Sequence, residues 1–383
     1  MDHHHSIYCI LPPHVLANIA EKGTPNQRTK ALQTIVMAEQ MRGRRRGIET
    51  MAAFSAPLTA VSAVKKRTVY DAKNGTTLPG TVVRNEGDDP VADVAVNEAY
   101  DGSGVTYDLY YDIYGRNSID GNGLKLNSTV HYQKSYDNAF WDGQQMVYGD
   151  GDEDMPEAQR LFNRFTIAID VIGHELTHGV TQNEANLAYW DQSGALNESF
   201  SDVFGSLVKQ YQLKQNAKDA DWLIGQGLLG VNVKGVALRS MLAPGTAYDD
   251  PTLGKDPQPG HMKDYVTTIQ DNGGVHINSG IPNHAFYVVA QEIGGFSWNK
   301  AGMIWYKTLV DKLTERSTFQ EAADLTYQAA AELFGVGSLE QLAVKTGWSE
   351  VGITVGDVVT LPAQPGNGCL PQVLRMLGVA AKS

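Results

Sequence analysis

Apolar positions change their spacing once along this chain. Between Arg67 and Tyr148, short runs such as "VTYDLYYDIYG" (105–115) and "STVHYQKSYDNAFW" (128–141) alternate apolar and polar residues between Gly/Asn/Asp turns. Period-two alternation bounded by turn residues predicts strands. From about Pro156 the apolar residues recur at three and four, which predicts helices over 157–181, 194–214, 281–293, 298–313 and 318–334. Strands followed by helices, with no βαβ alternation, give an α+β fold with a β-rich half and an α-helical half. Ahead of both, "PNQRTKALQTIVMAEQMRGRRR" places Pro25 at a helix start and Leu32, Ile35, Val36 and Met41 at near-helical spacing, predicting one helix over 25–46. The small-residue stretch that follows, "GIETMAAFSAPLTAVSAVKK", is expected to be an exposed, cleavable linker.

Charge divides the chain at the same place. Residues 1–50 hold seven Lys/Arg against four Asp/Glu, while the whole chain holds 31 against 43, so a leader of +3 precedes a body of −15. An acidic body disfavours nucleic acid as a partner, and a basic leader can dock on it by charge complementarity. No run of 18 apolar residues is present, so no membrane span is predicted. The start, "MDHHHSIYCILPPHVL", has no basic n-region and is interrupted by Pro12 and Pro13, so a Sec signal peptide is not expected. His3, His4 and His5 read as a solvated leader or a tag remnant. Two cysteines, Cys9 and Cys369, imply no disulfide framework and cannot make a cysteine-type structural zinc site.

The chemistry lies in "DVIGHELTHGVTQ" (170–182). On a helix, His174 and His178 share one face, and Glu175 sits about 100° round the axis. Two imidazoles aimed at one zinc need a third protein ligand and an open position for water, beside which a carboxylate can take a proton. The next helix, "GALNESFSDVFGSL" (194–207), places Glu198 and Asp202 four apart. Glu198 can be the third ligand, and Asp202, one turn on, can accept the free N–H of a ligand histidine, His174 first among them. An acidic solvated face is a poor alternative there, because Phe200, Val203, Phe204 and Leu207 crowd the same helix. Peptide hydrolysis also needs donors for the developing negative charge. Tyr189 in "NLAYWDQ" and His276 in "DNGGVHINSG" are the candidates, with Gly273 and Gly274 allowing a tight loop and Asp271 able to keep His276 charged.

By "HELTH", "NESFSD", "DNGGVHINSG" and "NAFWDGQQMVYGDGD", in order and spacing over about residues 67–353, the chain resembles the thermolysin family of zinc metalloendopeptidases. The short leader with "CILPPHVL" resembles that of the protealysin-like branch. The resemblance implies a two-lobed fold with the cleft between the lobes and one catalytic zinc on His174, His178 and Glu198. It implies Glu175 as general base and acid, Tyr189 and His276 on the oxyanion, Asp271 orienting His276 and Asp202 supporting His174. Asn138 and Ala139 match the edge segment that pairs with extended peptides, and Arg239 the residue that contacts a substrate carbonyl. Phe162, Val171 and Leu238 would line the pocket for the residue after the scissile bond, favouring Leu, Phe and similar side chains. At the family's double calcium site Asp170 and Asp221 remain, but Lys209, Leu223 and Gln226 stand where carboxylates are usual, so an ammonium is expected in place of calcium.

The expected organisation is an inhibitory propeptide at 1–50, a β-rich lobe at 51–166, an α-helical lobe including the zinc helix at 167–353, and an unassigned tail at 354–383. The expected protein is an endopeptidase proenzyme acting on proteins and peptides, inhibited by its own propeptide, monomeric, and extracellular by resemblance or cytoplasmic by its missing signal. Cys9 offers a thiolate that could cap the zinc. A zinc aminopeptidase shares the ligand spacing, but no "GxMEN"-like sequence occurs, and a catalytically silent zinc scaffold would not need Glu175, Tyr189 and His276.

Overall fold

In this computed structural model the described residues are 8–52 and 64–356. His3 to His5, Cys369 and nearly all of the unassigned tail lie outside them. The chain runs β1 (Tyr8–Cys9), α1 (Pro13–Lys22), α2 (Pro25–Ala52), β2 (Arg67–Asp71), β3 (Thr81–Asn85), α3 (Val94–Tyr114), β4 (Leu126–Val130), β5 (Ala139–Trp141) and β6 (Met146–Tyr148). Then come α4 (Ile169–Asn183), α5 (Asp191–Leu213), the short pairs β7 (Leu223–Ile224) with β8 (Arg239–Ser240) and β9 (Asp249–Asp250) with β10 (Gly254–Lys255), and the helices α6 (Asp271–Asn278), α7 (Gly280–Ile293), α8 (Lys300–Asp311), α9 (Phe319–Phe334) and α10 (Leu339–Glu350).

One mixed sheet, in the order β1-β5-β6-β4-β2-β3, forms the N-terminal lobe, and helices α5 to α10 form the C-terminal lobe. Helix α4 lies between them and carries the metal motif. Every residue from Asp170 to Thr181 is buried, because α3 covers one face and α5 the other. Small residues set those approaches: a Cβ on Gly102 of α3 would meet Ile172 Cδ1 at 2.4 Å, and one on Gly205 of α5 would meet the Asp170 carbonyl oxygen at 2.4 Å. Glycine is therefore what lets α4 and α5 come close enough to share a metal.

Four sequence expectations are corrected. "VTYDLYYDIYG" is not a strand but the second half of α3, capped by Asp93, which accepts from Ala95 N, and closed by Gly115 at φ 68. Tyr100, Tyr107, Tyr110 and Tyr114 fall at helical spacing and are all buried, with Tyr110 stacked on Phe204 and its hydroxyl 2.9 Å from Thr177 Oγ1. Tertiary burial of one tyrosine face overrides the local strand preference of the residues. The helix expected over 157–181 begins only at Ile169, since Phe162 is used in a bridge to Leu229 and Phe165–Ile167 forms a 3-10 turn. "DNGGVHINSG" keeps its tight turn, with Asn272, Gly273 and Gly274 at φ 51, 86 and 79, but continues as helix to Asn278. The segment expected as a linker from Gly47 starts as helix, because α2 runs to Ala52 and "RGRRRGIETMA" contains no proline. Residues 53–63 lie outside the described ones.

Candidate metal centre

The site is built where α4, α5 and α6 meet under β5. His174 and His178, one turn apart on α4, are wholly buried, and each turns its Nδ1 to a fixed acceptor. His174 Nδ1 is 2.8 Å from Asp202 Oδ1, and His178 Nδ1 is 2.8 Å from Asn197 Oδ1, whose own amide donates to the Leu187 carbonyl at 3.0 Å. With Nδ1 as the donor in both rings, both Nε2 atoms carry lone pairs, and they face each other at 3.0 Å. The Glu198 oxygens lie 3.5 Å from each Nε2, and Oε2 is buried without a hydrogen bond. Lone pairs and an orphaned carboxylate oxygen converging in a dry interior repel one another unless a cation lies among them. His174, His178 and Glu198, whose ligand atoms all lie within 4.8 Å of one another, are the single such group among the described residues. Two imidazoles and one carboxylate form a zinc donor set that leaves a coordination position open.

Carboxylates around the metal are pushed in opposite directions. Burial would raise the Asp202 carboxyl, but Arg239, held by Nε to Oδ2 and Nη2 to Oδ1 at 2.8 Å each, together with His174, keeps it well below the usual carboxylate range. Asn283 Nδ2 adds a third donor to Asp202 at 2.8 Å. Glu175 is raised well above the ordinary value by burial first and the Glu198 charge second, and the Trp141 N–H holds its Oε2 at 3.1 Å. One carboxylate is thus a permanent anion and the other a proton acceptor.

Across the site, the Tyr189 hydroxyl donates to Glu198 Oε1 and lies 3.2 Å from His276 Nε2. Burial opposes the imidazolium, but Asp271, 2.6 Å from Nδ1, and Glu198 raise His276 to about 9. Asp271 also accepts the His276 backbone N–H at 2.9 Å, so turn and ring are fixed together. Phe162, Val171 and Leu238 are buried in the surrounding apolar cluster. The contacts above bring His174, His178, Glu198, Glu175, Tyr189, His276, Asp202, Asp271 and Arg239 together, whereas Phe162, Val171 and Leu238 share with them only the main apolar cluster, which runs through both lobes. Those missed were Asn197, Ser201, whose Oγ lies 3.0 Å from His178 Nδ1, Trp141 and Asn283. Asn197 directly precedes Glu198 in "NES", and only the meeting of α4 with α5 gives it a partner.

The leader lies in the groove, leaving a cavity of about 430 Å³ between Cys9, Leu11 and His14 on its side and Tyr189, Asp271 and His276 on the other. Tyr8 and Cys9 pair antiparallel with Trp141 and Phe140, Ile10 N donates to Ala139 O at 3.3 Å, and Leu11 N donates to Asn138 Oδ1 at 3.1 Å. Arg239 Nη1 donates to the Ile10 carbonyl at 3.0 Å, and His276 Nε2 lies 3.0 Å from the Cys9 carbonyl oxygen. The expectation of a Cys9 thiolate on zinc is corrected here. The Cys9 side chain packs with Tyr132, Tyr136, Phe140 and Val147, and it is the Cys9 carbonyl that faces the site. Beyond, Ile10, Leu11, Val15, Leu16 and Ile19 are at most 3% exposed, and Lys30 reaches Asp152 at 2.8 Å and Asp154 at 3.1 Å.

The expected calcium site holds an ammonium. Lys209 Nζ lies 3.2 Å from Asp170 Oδ2, 2.9 Å from Asp221 Oδ2 and 3.2 Å from the Leu223 carbonyl.

Comparison with known proteins agrees with this geometry. Residues 40–182 match the catalytic domain of the thermolysin metallopeptidases and 185–353 their alpha-helical domain. The chain is 50% identical over 354 residues to an extracellular metalloprotease of Pectobacterium carotovorum subsp. carotovorum, covering 91% of this chain and 97% of that one. It is 48% identical over 354 residues to the protease PrtS of a Photorhabdus strain, covering 90% and 92%. A solved structure, the precursor of protealysin, a metalloproteinase from Serratia proteamaculans, superposes with a TM-score of 0.81 at 52% identity, covering 91% of this chain and all of that one.

Proposed function

The chain belongs to the thermolysin family of zinc metallopeptidases and is a metalloendopeptidase, and from that premise we propose that it is a latent precursor whose mature form cleaves proteins on the N-terminal side of bulky apolar residues. The observation that carries this reading is the convergence of His174, His178 and Glu198. Zinc, when bound there, supplies a Lewis acid that polarises a carbonyl and acidifies water. Glu175 takes the proton of the attacking water and returns it to the departing amine. The Trp141 N–H, 3.1 Å from its Oε2, fixes the carboxylate for that task. Tyr189 and His276 donate to the oxygen on which negative charge collects, and Asp271 keeps the His276 ring charged and aimed. Asp202 positions His174 and in turn anchors Arg239.

An extended substrate adds as a strand along Asn138 and Ala139, and Arg239 takes the carbonyl one residue past the scissile bond. Phe162, Val171 and Leu238 select the side chain there by apolar burial. A missing methylene changes such selection by about 1–3 kcal/mol, so several proteins serve as substrates. The leader, about residues 1–50, acts as an intramolecular inhibitor, a role supported by its contacts with Ala139, Asn138 and Arg239. Lobes at 51–166 and 167–353 then form the working enzyme. The protein works as a monomer outside the cell, in keeping with the relative described as an extracellular metalloprotease. The test is casein digestion by protein freed of its leader: wild type digests, Glu175→Ala does not, and a zinc chelator abolishes it. Undiminished digestion by the folded Glu175→Ala variant would refute the reading.

A further inference from the structure

The leader enters the cleft as a peptide in a particular register. Ile10 gives its N–H to Ala139 O, Leu11 gives its N–H to Asn138 Oδ1, Arg239 holds the Ile10 carbonyl, and His276 faces the Cys9 carbonyl oxygen. The group that faces His276 is thus the carbonyl of the Cys9–Ile10 peptide bond. Its nitrogen lies beside Glu175, with the Ile10 N–H in hydrogen-bond contact with that carboxyl. Ile10 is itself a bulky apolar residue and is fully buried. Resting on the proteolytic reading above, we propose that the Cys9–Ile10 bond is a substrate of the chain's own active site, cut in cis to release residues 1–9 while the leader from Ile10 onward stays seated.

Hydrolysis adds one water across the amide. Its oxygen bonds to the Cys9 carbonyl carbon, the C–N bond breaks, and both of the water's protons pass to the Ile10 nitrogen, Glu175 carrying them in turn. Cys9 leaves as a carboxylate and Ile10 becomes a chain-terminal ammonium. The two products are held very unequally. Among the described residues the Cys9 side is held by the strand pairing of Tyr8 and Cys9, the packing of Cys9 and the His276 contact with its carbonyl. On the Ile10 side are the buried Leu11, Val15, Leu16 and Ile19, the bond from Asn18 Nδ2 to the Leu253 carbonyl at 2.9 Å, His14 Nε2 at 2.9 Å from Tyr248 Oη, and the Lys30 pair with Asp152. The short piece departs and cannot be rejoined, whereas the longer piece keeps the groove occupied. A cut at this bond therefore trims the leader without activating the enzyme.

The experiment follows the N-terminus of the full zinc-loaded chain by intact mass and N-terminal sequencing, at serial dilutions. The expected result is a new N-terminus at Ile10, formed at a rate independent of dilution and absent in Glu175→Gln, with a quenched peptide substrate still excluded from the cleft. Ile10→Asp, which places a carboxylate in the apolar pocket, should abolish this cut, yet the same protein should digest casein once trypsin has removed its leader. In zinc-stripped chain, the Ile10 and Leu11 amides should exchange slowly with deuterium, and Ile10→Asp should remove that protection. A persistent Cys9–Ile10 bond in protein whose leader-free form digests casein overturns the proposal alone. Failure of the leader-free form to digest casein overturns the proteolytic reading and this proposal with it.

Discussion

Asp170 and His174 stand one turn apart on α4, and each faces a cation site completed by α5. Asp170 meets Lys209, whose ammonium also reaches Asp221 and the Leu223 carbonyl. His174 and His178 meet Glu198, which has the His276 ring 3.6 Å from its Oε2 but, among the described residues, no lysine or arginine in an ion pair. Both sites centre on a buried carboxylate, Asp170 in one and Glu198 in the other, whose charge must be offset. The first is neutralised by a charge tethered to the backbone and present from synthesis onward. The second depends on an ion drawn from solution, and in return offers an open coordination position that an ammonium lacks. A structural cation can be replaced by a side chain, whereas a catalytic one cannot.

The largest effect that separates the two sites is chelation. Removal of zinc should abolish proteolysis by the leader-free enzyme and lower its melting temperature, and zinc should restore both while calcium restores neither. Recovery of the native melting temperature with calcium alone would show that the ammonium does not substitute for a calcium ion. Next, Lys209→Ala leaves Asp170 buried without its cation and should cost about 3–5 kcal/mol in denaturant unfolding. Millimolar calcium should return part of that loss in the variant and leave wild type unmoved. Asp202→Asn weakens the acceptor behind His174 and should reduce zinc affinity roughly 10–100-fold, measured by competition with a chromogenic chelator. Unchanged zinc affinity would deny Asp202 a positioning role.

The smallest effect concerns a titratable member of the same series. His131 lies 2.8 Å from both Asp93 Oδ2 and Asp150 Oδ2, and Asp150 first, then Asp93, raise it to about 9 against the opposing effect of burial. Its folded value lies above the unfolded one of about 6.5. The added stability is therefore complete below that unfolded value and is lost as pH rises through about 9. Unfolding midpoints should decline across that window in wild type and less so in His131→Gln. An identical decline in the variant would remove this site from the comparison.

What could be read without the fold was local and periodic. "HELTH" puts two imidazoles on one helix face at any helix radius, and "NESFSD" does the same for Glu198 and Asp202, so ligand identity follows from spacing alone. Lys209 at a carboxylate position likewise forecast an ammonium in place of calcium. The misreadings arose where the outcome depends on distant residues. "VTYDLYYDIYG" alternates like a strand, and it is helical because Phe204, Tyr306 and Thr177, remote in sequence, receive its tyrosines. Charge asymmetry suggested that the leader docks by basic residues. Apolar burial of Ile10, Leu11, Leu16 and Ile19 carries much of its seating, with Lys30 as a buried anchor.

By itself the sequence determined which side chains can bind zinc, which carboxylate stands beside them, and that an acidic two-part body follows a basic leader, because each of these is a matter of spacing and composition. Only the tertiary structure decided which atoms face which. It gave His178 to Asn197, Glu175 to the Trp141 N–H, Arg239 to both Asp202 and Ile10, and the Cys9 carbonyl to His276. Those partners come from segments far apart in the chain. Their distances are set by how closely α3, α4 and α5 pack and by which strand takes the edge of the sheet, and no local periodicity encodes that.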